Sequence, residues 1–476
     1  MLLLQNLQIN KDNMKRTVLL ANLILLSVLT VTLLAGAPKE KPNLPSRPFP
    51  QHTRYPGGTI LPSHVSRPVL DDSVRSFYRQ WKKHYIVPGC TPGEAYVWFE
   101  GNENTDNDSN NICVSEGQGY GMMIVALMAG FDSTAQETFD QLYRFYKSHP
   151  STSSPHLMAW IQGRDCRSID GGTATDGDMD IAYSLLLADA QWGRQSNVPY
   201  KQEALAMIAA IKREEINPIT YIVMEADGES PHSRDYNDMR SSDFMPDHIR
   251  AFRDITGDTA WDSVLTNNYR LFHYLQDAYS PEAGLVPDFI KQISLRPGQG
   301  YTGNMIVPAA HGAGSDEEGP AAETITAVPA QPNYLESKYD GLYNFNACRV
   351  PWRIAADWLI SGDKRAADFL APINTWIRAT TKGNPDNISA GYDLSGTDLP
   401  HRYYEALCFI CPFGVSAMAS PDNQEWLNKL WDYIVHFKMK DFDYYDNSIK
   451  MIDMIILSGN YWAPVGTNAP AATAAR

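Results

Sequence analysis

Between about residue 71 and residue 463 the apolar positions recur at three- and four-residue spacing. The stretches that show it are VRSFYRQWKKHY, GMMIVALMAG, DIAYSLLLADAQW, EALAMIAAIKREE, FMPDHIRAFRDI, VPWRIAADWLI, GVSAMAS and NQEWLNKLWDYIVHF. This period keeps one face of an α-helix apolar, while the period-two alternation of half-buried strands is scarce, so the pattern predicts an all-α fold. Polar or glycine-rich entries lead into apolar, small-residue helices near Glu116, Asp176, Asp243, Cys348 and Ala406. Successive entries lie about sixty residues apart, the length of a helical hairpin, except between Asp243 and Cys348. That longer interval hides either a further hairpin or a long loop, which the stretch GQGYTGNMIVPAAHGAGSDEEGPAAETITAVPAQP supplies. Helices that begin polar and continue with small residues suit the inner ring of a barrel. Its mouth, where the polar ends collect, is the expected active site.

The chain's two ends depart from this pattern. Residues 14–37, MKRTVLLANLILLSVLTVTLLAGA, carry a basic start at Lys15 and Arg16, an apolar run and the small residues Ala35, Gly36 and Ala37. They read as a secretory signal peptide, with a signal anchor as the alternative, and predict a secreted or periplasmic enzyme without stable membrane insertion once processed. Residues 1–13 precede Met14, the expected true start. Residues 38–70, rich in Pro and basic side chains, read as an extended linker to a folded domain over 71–463. Residues 464–476 end in TNAPAATAAR and read as a disordered tail.

Composition narrows the class. A net charge of −15 with no basic run beyond the N-terminus argues against a nucleic-acid partner. With 25 Tyr and 11 Trp the chain is well supplied with rings that stack on sugars, although most of them belong to the core. The six cysteines, Cys90, Cys113, Cys166, Cys348, Cys408 and Cys411, are spread too widely to read as a disulfide framework. Cys408 and Cys411 in ALCFICPFG have zinc-like spacing but no second pair and no nearby histidine, so two buried thiols are expected there and no metal.

Three constellations carry candidate chemistry. In SEGQGYGMM, Glu116 stands at a helix start among glycines that let a ligand or a neighbouring helix come close. In ATDGDMDIAYSLLLADAQW, Asp176, Asp178 and Asp180 crowd a helix entrance; the helix dipole accounts for one or two carboxylates and leaves another free to meet a ligand. In GLYNFNACRVPWRIAADW, Asn344, Asn346, Arg349 and Arg353 lie ahead of and within a helix, where Arg349 suits a carboxylate, a sugar hydroxyl or a structural ion pair. Just upstream, PNYLESKYDG offers Glu336 and Asp340. Paired carboxylates on an aromatic-rich all-α chain suggest hydrolysis of a glycosidic bond, which needs one acid and one base.

SEGQGYGMM, ATDGDMDIAYSLLLADAQW, SDFMPDHIRAF and NACRVPWRIAADW together resemble glycoside hydrolase family 8, and the resemblance extends from about residue 75 to residue 460. It implies an (α/α)6 barrel and an inverting mechanism without metal or organic cofactor. By the same resemblance Glu116 falls on the general acid, Asp176 on the carboxylate that holds the distorted sugar, Trp160 on a sugar-stacking ring, and Arg349 on an arginine near the base. Asp178 and Asp180 are then mostly structural. One departure matters: where many members carry an aspartate base, this chain has Asn346, and an amide takes no proton from water. A branch that includes chitosanases and mixed-linkage glucanases uses a glutamate in the preceding loop, which Glu336 matches, with Asp340 as the fallback. The expected enzyme is a monomer that cleaves β-1,4 linkages inside a linear polysaccharide, with Asn346 and Tyr120 also facing substrate. Tyr120 is further expected to help raise the Glu116 pKa. Chitosan and xylan remain open as substrates, as do a decayed polysaccharide-binding protein and an all-α lyase.

Overall fold

A computed structural model describes residues 44–99, 111–194, 196–296, 324–400, 403, 405–439 and 443–465. Among these residues twelve α-helices form two rings. The inner ring consists of α2 (Ser115–Leu127), α4 (Thr175–Trp192), α6 (Pro246–Thr256), α8 (Val350–Ser361), α10 (Leu407–Ala417) and α12 (Tyr444–Leu457). Each packs on the next, and α12 returns to α2, so the ring closes. The outer helices are α1 (Arg67–Tyr85), α3 (Ala135–Ser148), α5 (Tyr200–Glu214), α7 (Ala260–Tyr279), α9 (Lys364–Thr380) and α11 (Gln424–His436). This is the expected (α/α)6 barrel.

The residue patterns explain which helix goes where. Nearly every residue of α2, α4, α8, α10 and α12 is buried, polar ones included, so these helices show no single apolar stripe. Outer helices such as α3 and α11 bury one face and expose the other. Helices α2 and α4 come together where glycines remove side chains. A Cβ at Gly119 would lie 2.6 Å from the Asp180 Cβ, and one at Gly177 would lie 2.4 Å from the Ser115 hydroxyl. Of the three crowded aspartates, Asp180 is fully buried. It accepts a two-pronged hydrogen bond from Arg353 at 2.8 and 2.6 Å and a third from His248 at 2.9 Å, which ties α4, α6 and α8 together.

The sixth inner helix was missed in the sequence pattern because its entry, Asp443, follows the short α10–α11 hairpin by fewer residues than the sixty-residue rhythm. Asp443 caps α12 by accepting the backbone N–H groups of Tyr445 and Asp446. Among the described residues the long interval before Cys348 holds no further helical hairpin. It contains α7 and two strands, β7 (Phe289–Arg296) and β8 (Thr324–Pro329), which pair antiparallel with each other, while β7 also pairs with β6 (Met239–Arg240). The expected loop is therefore partly strand, and its residues 297–323 lie outside the described residues. Two smaller sheets complete the mouth: β1 (Ile86–Pro88) with β2 (Ala95–Val97), and β3 (Asn111–Val114), β4 (Ile161–Gly163) and β5 (Ser168–Asp170) in that order. These strands are too short to show a period of two in the sequence.

Two expectations need correction. Residues 44–66 are extended but are not a free linker. Ser46 donates to the Gln191 carbonyl at 3.0 Å, Phe49 is buried and donates to the Ala129 carbonyl, and the Arg47 guanidinium lies 4.5 Å from the Trp462 ring centre. This segment straps the ends of inner helices, and the fold begins before residue 71. Second, Cys90 and Cys166, 76 residues apart, form a disulfide that joins the β1–β2 turn to the β4–β5 turn. The cysteine spacing hid it because the partners come from separate sheets that only the barrel brings together. Replacing both with Ala is expected to lower stability by about 2–4 kcal/mol, as read by denaturant unfolding. Cys408 and Cys411 are buried in α10, as expected.

Candidate active site

The inner helices start at one end of the barrel, and their first turns deliver the predicted residues to one place. Glu116 sits in the first turn of α2 and Asp176 in the first turn of α4, where unpaired backbone N–H groups favour carboxylates. Arg349 closes the short turn that leads into α8. Its Nη1 donates to Glu116 Oε2 at 2.5 Å and to Asp176 Oδ2 at 2.7 Å, so one guanidinium bridges both carboxyls. Its Nη2 donates to Asn346 Oδ1 at 2.8 Å, and the Asn346 amide nitrogen donates to Glu336 Oε2 at 2.7 Å. An unbroken hydrogen-bonded chain thus runs from Glu116 through Arg349 and Asn346 to Glu336. The Glu336 side chain is 46% exposed, which leaves it open to water in the cleft.

Burial and charge set these carboxyls apart. Desolvation lifts Glu116 to about 7 against the opposing pull of Arg349, with the charge of Asp176 adding to the rise. Asp176 is more deeply buried than Glu116, yet the cations of Arg349 and Arg240 outweigh the cost of burial and hold it below its ordinary value. One acid is therefore kept protonated near neutral pH and its neighbour ionised, the division of roles that acid catalysis requires.

The remaining predicted residues fall into two groups. Trp160 is 37% exposed, and its carbonyl accepts the Ser115 N–H at 2.9 Å, which sets its backbone beside the Glu116 turn. Tyr120 and Arg349, in contrast, are buried beneath the site, and Asn346 is nearly so. Tyr120 packs against Trp352 with its hydroxyl 3.4 Å from Arg349 Nη1, so it supports the arginine and does not face substrate. Asn346 spends both ends of its amide on Arg349 and Glu336 and orients them. Asp340 is fully buried and accepts the backbone N–H groups of Leu335, Glu336 and Ser337, which makes it the organiser of the Glu336 loop and not a group that meets water.

Three residues at the site were not singled out from the sequence, and a fourth, Asp243, was marked there only as a helix entry. The Tyr444 hydroxyl donates to Glu116 Oε1 at 2.9 Å. Asp288, buried and pushed up to about 7 by desolvation, accepts the N–H groups of Asn344, Asn346 and Ala347 and so fixes the turn that carries Asn346. Arg240 donates to Glu336 Oε1 at 3.3 Å, and Asp243 lies buried beside Arg240. Arg240 and Asp243 flank the start of the quoted SDFMPDHIRAF motif, so the sequence did mark the place.

Asp178, the middle aspartate, lies under the rim. Its Oδ1 accepts the Met158 N–H at 2.9 Å, and the charge of Glu215, whose Oε1 accepts from Thr173, acts on it. Both carboxyls are fully buried and desolvation raises both, Glu215 to about 8, while the Asp178 bond to Met158 holds the segment that leads to Trp160. A carboxyl whose folded pKa is raised contributes its stability below the unfolded value, about 4.5, and loses it as pH climbs toward 8. Wild-type Tm is therefore expected to fall between pH 5 and pH 8 more steeply than that of Glu215→Gln, measured by calorimetry, because the amide has no proton to lose in that range.

Twelve helices in two rings around a mouth that sets a carboxyl raised by burial beside one held low by two arginines make an (α/α)6 barrel equipped for acid catalysis. The family model described as glycosyl hydrolases family 8 matches residues 73–300. A β-glucanase of Niallia circulans is 40% identical across 88% of this chain and 92% of its own length. An endoglucanase of Bacillus sp. (strain KSM-330) is 36% identical across 88% of this chain and 82% of its own. Among solved structures, the apo β-1,3-1,4-glucanase from Paenibacillus sp. X4 matches with a TM-score of 0.76 at 39% identity, covering 88% of this chain and 100% of that one. The chain belongs to glycosyl hydrolases family 8. No described helix is long and apolar enough to cross a membrane.

Proposed function

We propose that this glycoside hydrolase is an exported, endo-acting, inverting β-glucanase that cuts β-1,4 bonds in mixed-linkage or cellulose-type glucan. The observation that carries the reading is the Asn346–Glu336 hydrogen bond. It ties a carboxylate to the position where the amide itself cannot take a proton, and so supports Glu336 as the base. In the reaction, Glu116 gives its proton to the departing oxygen while the C1–O bond breaks. Ionised Asp176 offsets the positive charge that develops on the sugar ring, and a water on the opposite face attacks C1 as Glu336 takes its proton. Trp160 offers a ring for a bound sugar. For the water to fit, the Glu116 and Glu336 carboxyls are expected to lie about 6.5–9.5 Å apart when substrate is bound.

The relatives named β-glucanase, endoglucanase and β-1,3-1,4-glucanase support glucan as the polymer. Export is supported by the leader at residues 14–37, which lies outside the described residues, and by the Cys90–Cys166 disulfide, since such bonds persist in oxidising compartments. The test is hydrolysis of mixed-linkage β-glucan, carboxymethylcellulose, chitosan and xylan, following viscosity and reducing ends together. Rapid loss of viscosity on the glucans with few new ends supports the proposal. Turnover of chitosan or xylan alone would reassign the substrate, and binding without turnover would make the chain a polysaccharide-binding protein.

A further inference from the structure

The positive charge at the base end of the cleft comes from a residue that the hydrolytic scheme above does not use. Arg240 ends the short strand β6 opposite Phe289 of β7, and its guanidinium rests 5.3 Å from the centre of that ring. The side chain is largely buried, and the ring and the β6–β7 pairing fix its direction. Five carboxyls feel its charge: Asp243 from the turn before α6, Glu336 from the loop before α8, Asp176 from α4, Glu225 from the segment before β6, and Glu116 from α2. Few of its donors are spent. Nη2 donates to Glu336 Oε1 at 3.3 Å, Nη1 stands 3.8 Å from Asp243 Oδ2, beyond hydrogen-bond range, and Nε is buried without a partner.

Asp243 makes no hydrogen bond to this cation. The carboxyl is fully buried, Oδ2 has no hydrogen-bond partner, and desolvation raises Asp243 well above the ordinary aspartate value despite Arg240. Arg240 donates instead to Glu336 on the cleft side, and it is one of the two cations that hold Asp176 low. Glu336 itself is gripped at both oxygens, by Asn346 at Oε2 and by Arg240 at Oε1. A half-exposed loop glutamate with only the Asn346 contact would be free to rotate about its last torsion; the second contact fixes the plane of the carboxylate.

We propose that Arg240 is a positioning residue for hydrolysis: its guanidinium fixes the plane of the Glu336 carboxylate and supplies the positive charge that Glu336 and Asp176 share across the cleft. The inference rests on Glu336 being the base. It also predicts that arginine geometry matters as well as charge, because lysine carries a point charge without the planar fork.

The test measures kcat, KM and pH profiles of the full chain on mixed-linkage β-glucan for wild type, Arg240→Met, Arg240→Lys and Glu336→Ala. Expected for Arg240→Met is a fall in kcat of about 10²-fold with KM within about threefold, since misorientation of a base costs turnover more than binding. Arg240→Lys is expected to recover about tenfold of that loss. The acid limb of kcat/KM for Arg240→Met is expected to move up by about one pH unit, because Asp176 loses a nearby cation. Arg240→Met with kcat within threefold of wild type, beside an inactive Glu336→Ala, overturns the Arg240 inference alone. Loss of activity with an unshifted pH profile, a lower Tm and no recovery in Arg240→Lys also overturns it, by making the role structural. Near-wild-type turnover of Glu336→Ala overturns the base assignment and this inference with it.

Discussion

Glu116→Gln is expected to lower kcat on β-glucan by about 10³–10⁴-fold while leaving KM within a few fold, because the amide keeps the shape of the site and removes the proton that the leaving sugar needs. The deficit should shrink sharply on an aryl glucoside whose phenolate leaves without protonation. A residue that only supported the fold would cost both substrates alike. The pH dependence follows from the same group. With Glu116 held near 7 by burial, wild-type kcat should fall about tenfold per unit above that value as the acid ionises, and Glu116→Gln should lose this alkaline limb. Steady-state kinetics on both substrates between pH 5 and pH 9 check the effect. An alkaline limb that survives the substitution would move the acid role to another residue.

Glu336→Ala has the second-largest expected effect, about a 10³-fold loss of kcat, with partial rescue by azide. The small anion occupies the place of the attacking water and needs no base, so the rescued product should be an α-glycosyl azide, detectable by mass and by its anomeric proton. Asp340→Ala serves as the contrast. Asp340 holds the backbone of residues 335–337, and its loss should also depress kcat by releasing the Glu336 loop, but azide should not rescue it. Rescue of Asp340→Ala and not of Glu336→Ala would reverse the assignment.

How much of this was legible in the sequence depended on how local each signal was. The helical period, the small-residue inner helices and the polar entries at Glu116 and Asp176 are local, and each was visible along the chain. Arg349 was visible too, and the choice between a carboxylate clamp and a sugar contact was resolved by its burial, since a side chain 1% exposed that bridges two carboxyls has no face left for a sugar. Residues whose role depends on a partner far away in sequence were harder to read. Arg240 meets Glu336 across 96 positions, and Tyr444 meets Glu116 across 328. The Cys90–Cys166 disulfide and the two buried carboxyls Asp178 and Glu215 belong to the same class. Tyr120 misled because a tyrosine one helical turn from a candidate acid suits a cleft and a core equally well, and closure of the barrel placed it in the core.

The anomeric configuration of the first product tests the central claim most directly. One-dimensional proton spectra are recorded within minutes of adding enzyme to mixed-linkage β-glucan, before mutarotation mixes the anomers. The account predicts that the α-anomer signal of the new reducing ends grows first and the β signal follows by mutarotation, because water enters opposite the leaving oxygen in a single displacement with Glu116 as acid and Glu336 as base. Initial growth of the β-anomer would mean a covalent intermediate and retention, and would contradict that account.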